Sequence, residues 1–142
     1  AFPNSWKKVN EILNINFIEI LPGETKYIDD TTIEAVKVEH SVPEAQGYIL
    51  TIDNQRCAFT GDTSRCEGVD YLLSKSKILI ADCADTKGTK THMGIDNIHE
   101  YAEKYPEKVI VTTHMREATR NEIEKLEDEN VIIPTDGYNL DF

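Results

Sequence analysis

Val109-Ile110-Val111-Thr112-Thr113-His114 is an apolar run that stops on a histidine, and two segments upstream stop in the same manner. Ala58-Phe59-Thr60-Gly61 runs into Asp62, and Ile78-Leu79-Ile80-Ala81 runs into Asp82. Short, almost wholly apolar runs of this kind read as strands of a covered, largely parallel sheet. The stretches between them have helical spacing. Val69, Leu72 and Leu73 suggest one helix, and Ile95, Ile98, Ala102 and Tyr105 a second that Pro106 closes. Thr119, Ile123 and Leu126 mark a last long helix before Val131-Ile132-Ile133, and Tyr138–Phe142 reads as a final strand. In open α/β sheets the carboxyl ends of parallel strands are where ligands bind, so Asp62, Asp82 and His114 are expected to converge on one crevice.

Working back toward the N-terminus, the pattern turns antiparallel. Gly47–Asp53 and Arg56–Gly61 are two β-rich runs with Asp53-Asn54-Gln55 as the turn between them. Thr32–Val38 is a less cleanly alternating strand that leads to His40 ahead of Pro43. Asn16–Ile20 reads as a strand, Pro22-Gly23 as a turn, and Pro3–Leu13 as a helix carrying Trp6, Val9 and Leu13 on one face. The opening Ala1-Phe2-Pro3-Asn4 does not read as a natural start and suggests a processed chain or a fragment.

Composition narrows the classes of function. The formal net charge of −11 makes this chain alone a poor binder of nucleic acid, because its surface repels phosphate backbones. A bound dication would dominate its local field, so a phosphate-containing small substrate is not excluded. Cys57, Cys66 and Cys83 are odd in number and lack C-x-x-C spacing, which argues for a reducing compartment, and Cys57 reads as a small buried hydrophobe. No apolar run has membrane-span length and no signal peptide opens the chain, so a cytoplasmic location is expected.

Four histidines are present: His40, His92, His99 and His114. His40 follows a strand, and His92 sits in the polar loop after Lys87-Gly88-Thr89-Lys90-Thr91. His99 lies inside a helix on the flank of its apolar face and reads as a packing or surface residue. Carboxylate and imidazole together suit Zn²⁺, Mn²⁺ or Fe.

The ordered set His40-Ser-Val-Pro-Glu-Ala-Gln-Gly47-Tyr48, Phe59-Thr60-Gly61-Asp62-Thr63, Leu79-Ile80-Ala81-Asp82, Thr91-His92-Met93, Val111-Thr112-Thr113-His114-Met115 and Asp136-Gly137 resembles the metallo-β-lactamase-fold hydrolases. The resemblance is greatest to the ribonuclease Z-like branch and runs from about Thr32 to the end of the chain. It implies an α/β fold that is half of an αββα sandwich: a mixed sheet with helices on one side, residues 1–142 forming a single partial domain. It also implies roles. His40 resembles a ligand of the first metal, Asp62 the carboxylate that bridges two metals, and His114 a ligand of the second. His92 resembles the histidine that contacts the substrate phosphate or protonates the leaving group, and Asp82 its acidic partner. The implied cofactor is a pair of divalent ions, zinc before manganese or iron, which lower the pKa of bound water toward roughly 7.

The chain departs from that family in one large respect. The His-x-His-x-Asp-His loop of the N-terminal half is absent from its sequence, as is the basic arm of the tRNA-processing nucleases. The expectation is therefore a fragment of a dinuclear hydrolase whose parent cleaves a phosphodiester or related ester of a small or nucleotide-like substrate. The isolated chain should be inactive, with a metal site that has too few ligands left to stay filled, and its open face either self-associating or paired with the missing N-terminal half. The rival reading is a non-catalytic module that assembles with another chain or with itself. Lactonase, thiolesterase or sulfatase chemistry on the same scaffold is a third possibility, since fold does not fix substrate.

Overall fold

The computed structural model describes residues 17–140 together with Leu13. The expected helix over Pro3–Leu13 falls almost entirely outside the described residues. Strands β1 (Thr25–Ile28), β2 (Thr31–Lys37), β3 (Gln46–Ile52), β4 (Gln55–Phe59), β5 (Ile78–Asp82), β6 (Val109–Thr113) and β7 (Val131–Ile132) form one sheet in sequential order. Helices α1 (Glu67–Lys75), α2 (Ile95–Lys104) and α3 (Glu117–Ile123) make the connections β4 to β5, β5 to β6 and β6 to β7.

The sheet changes character at β4. The pairs β1–β2, β2–β3 and β3–β4 are antiparallel, whereas β4–β5, β5–β6 and β6–β7 are parallel. Asp53 and Asn54 at the tip of the β3–β4 hairpin both have positive φ, +49° and +64°, the conformation that a two-residue hairpin turn requires. The parallel half needs crossovers, and the helical spacing of the intervening segments supplies them.

Register explains which face is core. Glu34, Ile49, Ala58, Leu79 and Ile110 lie opposite one another across five strands and so share a face. Of these, Ile49, Ala58, Leu79 and Ile110 join Val69, Leu72 and Leu73 of α1 with Ile98 and Tyr101 of α2 in one buried cluster. Burying each large aliphatic side chain there contributes about 1.5–3 kcal/mol. The opposite register set, Tyr48, Phe59 and Ile80, lies on the other face, where with Ile33 and Leu50 it lines an apolar groove of about 510 Å³. The helices thus pack on one side of a mixed sheet.

Four expectations differ from the structure. β1 was not anticipated; its four residues gain strand geometry only by pairing with β2 across a tight turn in which Asp29 has φ +49°. Residues 17–20 of the expected strand Asn16–Ile20 are not in strand conformation, and Gln46 donates its side-chain N–H to the Ile20 carbonyl. Tyr138–Leu140 are not a strand either; Tyr138 donates to the Thr135 carbonyl in a turn. The last helix stops at Ile123, and Leu126 reaches the core from the turn that follows.

Candidate metal centre

The three strand ends do converge. Asp62, three residues beyond β4, lies with its Oδ1 3.2 Å from His114 Nδ1, one residue beyond β6. Asp82, the last residue of β5, lies between them because β5 pairs with both β4 and β6. Gly61 reaches φ +64° to turn the chain onto Asp62, a conformation open to glycine at little cost. His114 adopts φ +60°, which a non-glycine residue pays for in strain and which gives its ring a course that a continuing strand would not.

Asp82 is fully buried. Its Oδ2 accepts from the Thr63 N–H at 3.0 Å and from His92 Nδ1 at 2.9 Å. Its backbone N–H donates to Thr60 Oγ1 at 2.9 Å. His92 must therefore carry its proton on Nδ1, which leaves Nε2 as the chemically available nitrogen. The loop that presents His92 is tied at both ends. Ile95 donates to the Asp85 carbonyl, Gly88 to Asp96 Oδ1, and His92 itself to Thr89 Oγ1. A Cβ on Gly94 would stand 2.3 Å from the Lys87 carbonyl carbon, so that glycine lets the loop close against α2.

His40 belongs to the same wall. Its Nδ1 donates to the Thr91 carbonyl at 2.9 Å, so its Nε2 is likewise the nitrogen left for other partners. The rings of His40 and His92 approach edge to face at 4.9 Å, and those of His92 and His114 at 5.1 Å. His92 thus stands between the rings of His40 and His114. The tightest donor group among the described residues is Asp62, His92 and His114, whose ligating atoms all lie within 4.8 Å of one another. His99 is not among that donor group and pairs instead with Asp128 at 2.9 Å.

One atom tests whether a cation fits. Asp82 Oδ1 is buried and makes no hydrogen bond; His114 Nδ1 lies 3.4 Å from it. A buried carboxylate oxygen without a partner is costly. Here it faces an imidazole nitrogen that also faces a second carboxylate. The grouped donors, the Asp62 carboxylate with the His92 and His114 imidazoles, are of a kind suited to a zinc-like dication, and Asp82 Oδ1 lies beside them at 3.4 Å from His114 Nδ1.

Residues 4–115 match the family model described as beta-lactamase superfamily domain. The chain belongs to this family. Solved structures carry the same fold. A possible metal-dependent hydrolase from Veillonella parvula DSM 2008 has a TM-score of 0.72 at 20% identity, over 96% of this chain and 63% of that one. A diphosphatase from the PhnP family gives 0.73 at 23%, over 96% and 53%. Zn²⁺-bound PqqB from Methylobacterium extorquens gives 0.62 at 17%, over 87% and 51%. The chain therefore spans about half to two thirds of these beta-lactamase superfamily structures. A search of curated protein sequences finds no match.

Sequence reasoning missed the residues that hold the centre together. Thr60 and Thr63 are fully buried hydroxyl residues on either side of Gly61-Asp62. Nothing in periodicity separates them from surface threonines. The signal was their position, flanking a carboxylate directly after a buried strand.

Proposed function

We propose that this superfamily domain supplies one wall of a metal-dependent hydrolase centre acting on a phosphodiester or related ester of a small or nucleotide-like substrate. The observation that carries the reading is the buried Asp82–His92 couple lying against the Asp62–His114 pair. Asp62 and His114 would hold a divalent cation, with His40 on the side toward a second; zinc suits the donors best. Such ions supply Lewis acidity at the ester and a nucleophile at neutral pH. Asp82 fixes the His92 ring through Nδ1–H, and His92 would act as general acid when Nε2 also carries a proton, which it would give to the leaving oxygen. The net charge of −11 favours small substrates over nucleic acid, since a single dication offsets repulsion only locally.

The His-x-His-x-Asp-His loop expected of the family is not among these 142 residues, so the ligands it would supply are not either. Turnover belongs to the centre completed by such ligands, and the chain on its own should turn over little. Its open sheet face takes the rest of the fold in the parent and a second copy of itself otherwise. Among the described residues no helix is long and apolar enough to cross a membrane.

A second reading makes His92 a ligand rather than the proton donor, and the 4.8 Å cluster with Asp62 and His114 favours it. His92→Asn separates the two. Unchanged metal content with a collapse of kcat toward bis(p-nitrophenyl) phosphate supports proton transfer; lost metal content supports ligation. Metal-loaded parent protein inert toward phosphodiesters, carboxylic esters and thioesters alike would sink the hydrolase proposal and leave a binding module.

A further inference from the structure

The Asp62 loop does more than present Asp62. Thr63, the next residue, is fully buried and reaches two other segments of the site. Its backbone N–H donates to Asp82 Oδ2, the oxygen that also holds His92. Its hydroxyl accepts from the Glu39 N–H at 3.1 Å and faces the Glu39 carbonyl at 3.0 Å and the Ser64 carbonyl at 2.8 Å. Glu39 is the residue immediately before His40. The Glu39 carbonyl also receives the Ser64 N–H at 2.8 Å, so the two loops are laced together around this one side chain.

We infer that Thr63 is a positioning residue that couples the His40 segment to the Asp62 and Asp82 carboxylates, setting the spacing of the metal centre. The inference rests on the metal reading above. Its physical basis is the chemistry of a buried hydroxyl, which can accept from an N–H and donate to a carbonyl at one point. Only serine and threonine do this without charge or extra length, and the β-branch of threonine restricts its rotamer. Without the hydroxyl, the Glu39 N–H loses its acceptor, and the segment carrying His40 keeps the bonds to the Glu39 carbonyl and the His40 contact with the Thr91 carbonyl. The backbone N–H of Thr63, and with it the hold on Asp82, survives any substitution except proline. The hydroxyl and amide contributions are therefore separable.

The experiment compares Thr63→Val, which keeps shape and N–H, with Thr63→Ser, which keeps the hydroxyl. Two quantities are read on the purified protein: amide hydrogen exchange at Glu39 and Zn²⁺ affinity by titration calorimetry. Thr63→Val should raise Glu39 exchange at least tenfold while Ile49 in β3 keeps its protection. It should also weaken Zn²⁺ binding by about tenfold, the low end for loss of a group that orients metal ligands. Thr63→Ser should restore both to within a factor of about two of wild type. If the valine variant does not fold, Thr63→Ala takes its place against the serine. Wild-type exchange and affinity in the hydroxyl-free variant would overturn the inference, and so would failure of serine to rescue, since the methyl would then be the operative group. If the wild-type chain binds no Zn²⁺, its own donors do not suffice without the family's remaining ligands, and Glu39 exchange alone decides whether Thr63 ties the loops.

Discussion

Replacing Asp82 by asparagine keeps the shape of the side chain and changes one atom and one charge. Oδ2 takes two hydrogen bonds, from Thr63 N–H and His92 Nδ1, so the asparagine oxygen must occupy that position. The amide nitrogen then replaces Oδ1, which makes no hydrogen bond and faces His114 Nδ1 at 3.4 Å. The flipped alternative sets the NH₂ group against two donors and is worse. The substitution thus turns two protons toward the place where the cation would sit. Loss of a group that orients metal ligands costs about 10–100-fold in affinity, or about 1.4–2.7 kcal/mol. The metal-free fold should respond differently. Two hydrogen bonds to a charged acceptor become neutral ones, each weaker by about 1 kcal/mol, but a buried carboxylate oxygen without a partner is removed, worth about 1–3 kcal/mol in return. The net change is within about 1 kcal/mol, a shift of no more than about 4 °C in Tm for a chain of this size. Calorimetric titration with Zn²⁺ beside thermal melting of the metal-free proteins reads both numbers. A Zn²⁺ Kd within twofold of wild type would show that Asp82 has no part in holding the ion. A metal-free variant that no longer folds would show that its first role is structural.

Cys83 is fully buried, and burial, reinforced by Asp82, Asp96 and Asp85, pushes its thiol up to about 12. It should resist iodoacetamide at pH 8 in the folded protein while the half-buried Cys66 reacts; equal labelling rates by mass spectrometry would contradict that. The hydrogen bond from His99 to Asp128 raises the histidine above its usual 6.5. A raised folded pKa stabilises below the unfolded value and is lost as pH climbs through the folded one, so His99→Gln should be less stable than wild type at pH 5.5 and equal to it at pH 9. The difference, screened at an exposed pair, should be only about 0.5 kcal/mol, and a pH-independent difference in denaturant melts would refute the linkage. The isolated chain should associate through the groove lined by Tyr48, Leu50 and Phe59. Phe59→Glu should return it to a monomer, and a wild-type chain that is monomeric by light scattering at tens of micromolar (about the range where weak association shows) would remove the basis for that expectation.

The sequence determined what depends on local pattern. Apolar runs ending at Ala81 and Thr113, helical spacing from Ile95 to Tyr105, and the Asp53-Asn54 turn set the parallel half of the sheet and its hairpin, because side-chain period and turn conformation are properties of a few adjacent residues. They also placed Asp62, Asp82 and His114 at strand ends, and strand pairing alone then brings them together. Only the tertiary structure decided the rest. β1 is four residues long and owes its geometry to β2, so its own sequence carries too little to show it. His92 stands among the other site residues because its loop is tied to α2 and its ring to Asp82, contacts that join residues eight and ten apart. Thr63 joins segments 19 and 24 residues away through hydrogen bonds that leave no periodic trace. Such contacts are fixed by which chain segments the sheet order makes neighbours, and the spacing of residues along the chain does not encode that order.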